Sequence, residues 1–173
     1  MLIGDIILCE KEEGPLSILI WLGNLWSAFF VPSKSNQYIH VAVASGDLTI
    51  IEANPNGVHE YDFYYKKYAI CRLKSMTSAQ REKVYEYIRT AVGRPYSFWL
   101  ILVIGVLKLF RAERLINGTR YEGFICSVLA AKAYARIGYN FKPGENIDMI
   151  DPKDIADCIL YNDKESWDII SAK

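Results

Sequence analysis

From Ile39 to Leu73 the chain is a series of short apolar runs cut by turn-forming residues, a pattern that fits a β-sheet and little else. Ile39 to Ala44 alternates, Ser45-Gly46-Asp47 turns, and Leu48 to Ala53 returns as a second strand. Asn54-Pro55-Asn56-Gly57 is a strong turn signal. Val58 to Phe63 and Tyr68 to Leu73 then read as two more strands, joined by Tyr64-Tyr65-Lys66-Lys67. Upstream, Leu2 to Cys9 reads as a strand kinked near Gly4, and Pro15 can open a helix through about Phe30. Downstream, Thr77-Ser78-Ala79-Gln80 has the form of a capping box. The helix it starts carries Val84, Ile88 and Val92 on one face and stops at Gly93, before Pro95. Further helices are expected from Phe98, from Cys126 through Ile137, and near Asp151-Pro152. No repeat or linker divides residues 1–173, so one α+β domain is expected.

The first hairpin places chemistry on this frame. Side chains alternate along a strand, so His40 shares a face with Ala42 and Ala44, opposite Ile39, Val41 and Val43. The small alanines leave room for a helix end to pack against the imidazole. A three-residue loop, Ser45-Gly46-Asp47, would set Glu52 directly across from His40. A two-residue loop would put Glu52 on the other face. Asn54 has the same parity as Glu52 and is the substitute if Glu52 is only a solvated edge residue.

Cys126 lies far downstream, in Glu122-Gly123-Phe124-Ile125-Cys126-Ser127-Val128-Leu129-Ala130-Ala131. A thiol at a helix N-terminus meets the positive end of the peptide dipoles, which favours the thiolate. An imidazole from a separate strand completes the thiolate–imidazolium unit of a cysteine hydrolase or acyl transferase. Backbone N–H groups at the helix start, with the Tyr96 hydroxyl as a candidate partner, would meet the oxyanion. Against this stands the plainer reading of Cys126 as a small buried hydrophobe and His40 as a core histidine. Cys9, Cys71 and Cys158 read as residues without chemistry, and His59 beside its turn is the poorer base.

Composition narrows the classes further. Twenty basic residues balance twenty acidic ones, leaving no single-signed field to attract nucleic acid. Four cysteines and two histidines show no ligand spacing, so no metal and no organic cofactor are expected. Nor does the spacing suggest a disulfide framework, which favours a reducing compartment or a virion.

The order His40, Glu52, Cys126 resembles the permuted branch of the NlpC/P60 papain-like superfamily, in which the histidine strand and its polar partner precede the cysteine helix. Gly4-Asp5-Ile6-Ile7, His40-Val41, Ile51-Glu52-Ala53, Gly93-Arg94-Pro95-Tyr96 and Cys126-Ser127 are similar to its segments in the same order, over residues 4 to about 135. The resemblance implies a papain-like antiparallel sheet with the cysteine helix packed on it. It also implies a Cys126–His40–Glu52 triad acting on amide, thioester or ester bonds in peptides, cell-wall peptides or lipids. Phe124-Ile125-Cys126-Ser127-Val128 lacks the Asn-Cys-Glu-His-type signature of the lipid-acting members, so their acyltransferase function is not carried over.

Two apolar stretches bear on location. Leu16 to Phe30 is interrupted by Gly23 and Asn24, and Phe98 to Leu107 falls well short of the roughly 20 residues of a bilayer crossing. Neither reads as a span, and acidic residues break any early signal-like run. The run from Phe98 to Leu107 reads either as a buried helix beside the cleft or as an exposed patch contacting a membrane surface, an acyl chain or another protein. The expectation is thus an amidase or endopeptidase working through an acyl-enzyme. Its alternatives are a lipid-directed acyl hydrolase and a non-catalytic structural protein, for instance of a viral particle.

Overall fold

The computed structural model describes residues 1–10, 34–101 and 123–173. Their centre is an unbroken apolar strand, β1 (Ile6–Glu10), in which Ile6, Ile7, Leu8 and Cys9 are fully buried. A strand apolar on both faces belongs in the middle of a sheet, and β1 pairs on both sides. β2 (Tyr38–Ala44), β3 (Thr49–Asn54) and β4 (Gly57–Asp62) extend one flank, while β5 (Tyr68–Leu73) and β6 (Trp167–Ala172) extend the other. The order is β4-β3-β2-β1-β5-β6, with every pairing antiparallel. The class is α+β.

The helices cover one face. α1 (Ser78–Ala91) starts with the reciprocal Thr77–Gln80 capping box and buries Val84, Ile88 and Ala91. Val92, expected on that buried stripe, is instead the C-cap and exposed, because the helix ends one turn position earlier and Gly93 follows at φ +85°. α2 (Cys126–Ala135) is apolar nearly all round and buries eight of its ten residues, as a helix in a domain interior does. Ala130 and Ala133 join the core cluster shared with Val41, Val43 and Ile51, and α2 packs on β2, β3 and α1. α2 stops two residues before the expected Ile137. α3 (Pro152–Asp157) opens on a capping box between Asp151 and Asp154 with proline at its first position. Among the described residues no helix is long and apolar enough to cross a membrane.

β6 has no counterpart in the sequence reading. Only Trp167 of its six residues is buried, so its pairing with β5, rather than an alternating pattern, makes it a strand. The helix expected over 15–30 lies outside the described residues.

One buried ion pair ties the chain's start to this sheet. Asp5, wholly buried, accepts from Arg72 Nε at 2.9 Å and Arg72 Nη2 at 2.7 Å, and the Arg81 guanidinium stands 3.4 Å away. Its second oxygen also takes the Leu2 N–H at 2.8 Å. Removing one member of such a pair leaves charge without its partner. Asp5→Ala is therefore expected to lower the free energy of unfolding by about 3 kcal/mol, measured by urea denaturation; a loss below about 0.5 kcal/mol would contradict this account.

Candidate active site

The β2–β3 hairpin carries the imidazole and its carboxylate. Val43 pairs with Ile51 and Ala44 with Ile50, a register two residues away from the one expected. The turn is held by Ser45 N–H and Gly46 N–H, both donating to the Thr49 carbonyl at 3.0 and 3.3 Å. A shift of two preserves parity, so Glu52 keeps the face of His40 but sits diagonally to it instead of directly opposite. The diagonal is within reach: His40 Nε2 lies 2.9 Å from Glu52 Oε2. Asn54 does not replace Glu52; its Nδ2 donates to Glu52 Oε1 at 2.9 Å. His59 stands across from Glu52 on β4, but its Nε2 is 3.0 Å from the Asn56 carbonyl.

The alanines do not make room for the cysteine helix. Ala42 and Ala44 pack with Ile7, Cys9, Ile50 and Ile70 on the face away from the main core. The alternation instead breaks at the start of β2. There the β1–β2 register shifts between Cys9 and Glu10, and Tyr38 joins the helix-side core that Ala42 leaves. His40 lies at this irregularity, where a bulge can re-aim a side chain.

Cys126 stands at the N-terminus of α2, near enough to His40 for its sulfur to act on the charge of the imidazole. With Nε2 engaged by Glu52, Nδ1 is the nitrogen left for the sulfur. Burial by itself would lower the imidazole; the Cys126 sulfur and the Glu52 carboxylate outweigh it and push His40 up to about 10. Burial would raise Glu52, which is 1% exposed, yet its bonds with His40, Tyr65 and Asn54 hold it down at about 2. The pair is thus an imidazolium facing a carboxylate at neutral pH.

Backbone contacts fix where Cys126 sits. Gly93 N–H donates to the Val58 carbonyl at 2.8 Å, and Val58 N–H donates to the Arg94 carbonyl at 2.9 Å, docking the turn after α1 on β4. From that turn the Pro95 carbonyl accepts the Phe124 N–H, and Ser97 N–H donates to the Phe124 carbonyl, both at 3.0 Å. Tyr96 and Phe124 form an isolated parallel bridge, two residues before Cys126. Tyr96 is thereby held beside the thiol; burial and then the Cys126 charge push its hydroxyl well above the usual range, so it stays a donor. No side chain caps the first turn of α2.

Cys9, Cys71 and Cys158 are also buried, and no disulfide joins any of the four cysteines. Burial, then Asp5, pushes the Cys71 thiol up to about 12, and burial raises Cys158 as well. Neither is poised to react. Among the described residues no group of three or more His, Cys, Asp or Glu is arranged to hold a metal ion. Tyr64 and Tyr65, which both bond Glu52, were invisible in the sequence, where they read only as a connection between strands. No protein-family model and no curated protein matches this chain.

The linkage signs follow from the two shifts. His40, raised, contributes stability that is whole below its unfolded value of about 6.5 and lost as pH rises through about 10. Glu52, lowered, contributes stability that is whole above its unfolded value of about 4.3 and lost as pH falls toward about 2. The His40 ring resonances are expected to titrate near 10 by NMR, and Glu52→Gln to move that midpoint downward; an unshifted midpoint in the variant would disprove the coupling. The approach of the two loops gives a second test. Gly123 has φ +90°, and a Cβ there would lie 2.4 Å from the Pro95 carbonyl oxygen. Gly123→Ala should destabilise the protein by about 1–3 kcal/mol and lower the His40 midpoint by displacing Cys126, both readable on one folded sample.

Proposed function

We propose that the protein is a cysteine hydrolase of papain-like type, resembling the permuted NlpC/P60 branch, with Cys126 as nucleophile, His40 as general base and acid, and Glu52 as the residue that orients the ring. The observation that carries this reading is the placing of His40 between two groups: the buried Glu52, 2.9 Å from its Nε2, and the Cys126 sulfur, near enough to act on its charge. A charged imidazole held between a carboxylate and a helix-terminal thiol is the arrangement that activates sulfur as a nucleophile.

In the proposed reaction the Cys126 sulfur attacks the substrate carbonyl carbon, forming a C–S bond and a tetrahedral oxyanion. The uncapped N–H groups of the first turn of α2 are aimed to receive that charge, with the Tyr96 hydroxyl as a further donor. As the intermediate collapses, the bond to the leaving amine or alcohol breaks and His40 gives it a proton. Water, deprotonated by His40, then attacks the thioester; the C–S bond breaks, the acid leaves, and the unprotonated sulfur and the His40 imidazolium are restored. Glu52 keeps its negative charge throughout and holds the ring in register.

The substrate proposed first is an amide bond of a peptide or a peptidoglycan stem. A lipid acyl ester is the second reading, favoured by one observation. Phe98 and Trp99 are 53% and 64% exposed and lie two and three residues after Tyr96, whose ring meets Phe98 edge-on at 5.0 Å. Leu100 is buried, so the described start of that segment is two-sided rather than wholly buried, and the rest of the run to Leu107 lies outside the described residues.

Iodoacetamide near neutral pH is expected to alkylate Cys126 at least tenfold faster than Cys9, Cys71 or Cys158; Cys158, 4% exposed against 5% for Cys126, is the comparison that separates reactivity from access. Equal, slow labelling of the four would end the enzyme reading. Incubation with sacculi should release new amines, and with phospholipid vesicles free fatty acids; whichever appears must vanish in Cys126→Ala.

A further inference from the structure

Glu52 is bound by more than its imidazole. Its carboxylate lies under the β4–β5 connection, where Phe63 N–H donates to the Leu48 carbonyl at 2.8 Å and the Phe63 and Tyr68 rings meet edge-on at 4.8 Å. That packing folds Tyr64 and Tyr65 back over the sheet, with their rings stacked at 4.4 Å. Tyr64 donates to Glu52 Oε1 at 2.8 Å, beside the Asn54 amide, and Tyr65 donates to Oε2, beside His40. An ionised carboxylate offers about four acceptor sites, and here four donors fill them. The Tyr65 ring also stands 5.9 Å from the imidazole, tilted by 42°, and walls it on one side.

We propose that Tyr65 is a positioning residue of the site, its hydroxyl sharing Glu52 Oε2 with His40 so that the carboxylate stays ionised and aimed at the ring, with Tyr64 supporting the other oxygen. This rests on the Cys126–His40–Glu52 reading and adds a fourth and fifth participant to it. Two physical effects follow from the geometry. A neutral hydroxyl stabilises the carboxylate without competing for its charge, so the attraction on His40 is kept while protonation of Glu52 is resisted. Both phenols are held far above their usual range, by burial first and then by Glu52 at Tyr64 and by Cys9 and Glu52 at Tyr65, so neither hydroxyl loses the proton it donates. A buried carboxylate with one acceptor site left open would be free to turn away from the ring or to take up a proton.

A loop anchor and a positioning residue differ in what their loss changes. Tyr65→Phe keeps the ring and its packing and deletes only the donor. The side-chain carboxyl of Glu52, followed by carbon NMR, is expected to titrate about one pH unit higher in Tyr65→Phe. The acid limb of Cys126 alkylation should move with it, slowing the reaction about twofold at pH 3 while leaving it near the parent rate at pH 5 and above. Tyr64→Phe should shift both less, since Asn54 still serves Oε1. Tyr65→Phe with a lowered melting temperature but the parent Glu52 titration would overturn the proposal. Should Tyr65→Phe not fold, the parent protein still decides: a downfield Tyr65 hydroxyl proton that moves upfield in Glu52→Gln is the expected signature, and its absence is contrary. If Cys126 alkylates no faster than the other cysteines, the hydrolase reading falls, yet the Glu52 titration still reports on Tyr65.

Discussion

A single buried carboxylate organises this molecule's candidate chemistry. Glu52 is almost completely removed from water, and a lone ionised group in that setting would be neutralised by protonation. It is kept charged because donors from β2, from β3 and from the β4–β5 connection converge on it. The requirement is demanding: the β2–β3 register, the path of the following loop and the rotamers of two tyrosines must all agree. In return the imidazole is drawn toward one orientation, with its second nitrogen left for the Cys126 sulfur.

The thiol is held to this pair by backbone. The turn after α1 bonds β4 on one side and the residues before Cys126 on the other, so the sheet edge, Tyr96 and the start of α2 form one linked unit. Gly123 allows the two segments to approach, because any side chain there would meet the Pro95 carbonyl. Main-chain contacts of this kind place a reacting atom more firmly than a surface loop does. The alanines of α2 serve the same end, letting the helix lie close to β2 and β3.

Much of this was legible before any coordinates. The four strands from β2 to β5, the capping box at Thr77, the helix start near Asp151 and the helix beginning at Cys126 follow from local signals, and the strands fall within a residue or two of their expected bounds. The shared face of His40 and Glu52 was legible too, since it needs only parity. Their diagonal relation was not, because it depends on which backbone groups close the hairpin at Ser45 and Thr49. β6 escaped because an edge strand with one buried residue has no period to detect. Tyr64 and Tyr65 escaped because a tyrosine in a connection carries no mark of the carboxylate it will meet.

By itself, then, the chain determined its alternations, caps and turns, because these arise between residues a few positions apart and are governed by the geometry of one strand or one helical turn. It also marked which side chains had the right chemistry. Only the tertiary structure decided that a sulfur, an imidazole and a carboxylate more than eighty positions apart from first to last would come together at one site. The reason is physical: that meeting depends on how β2 pairs with β1 and β3 around His40, on aromatic packing that folds a loop over Glu52, and on a bridge through Phe124, and each is a long-range contact that no local pattern encodes.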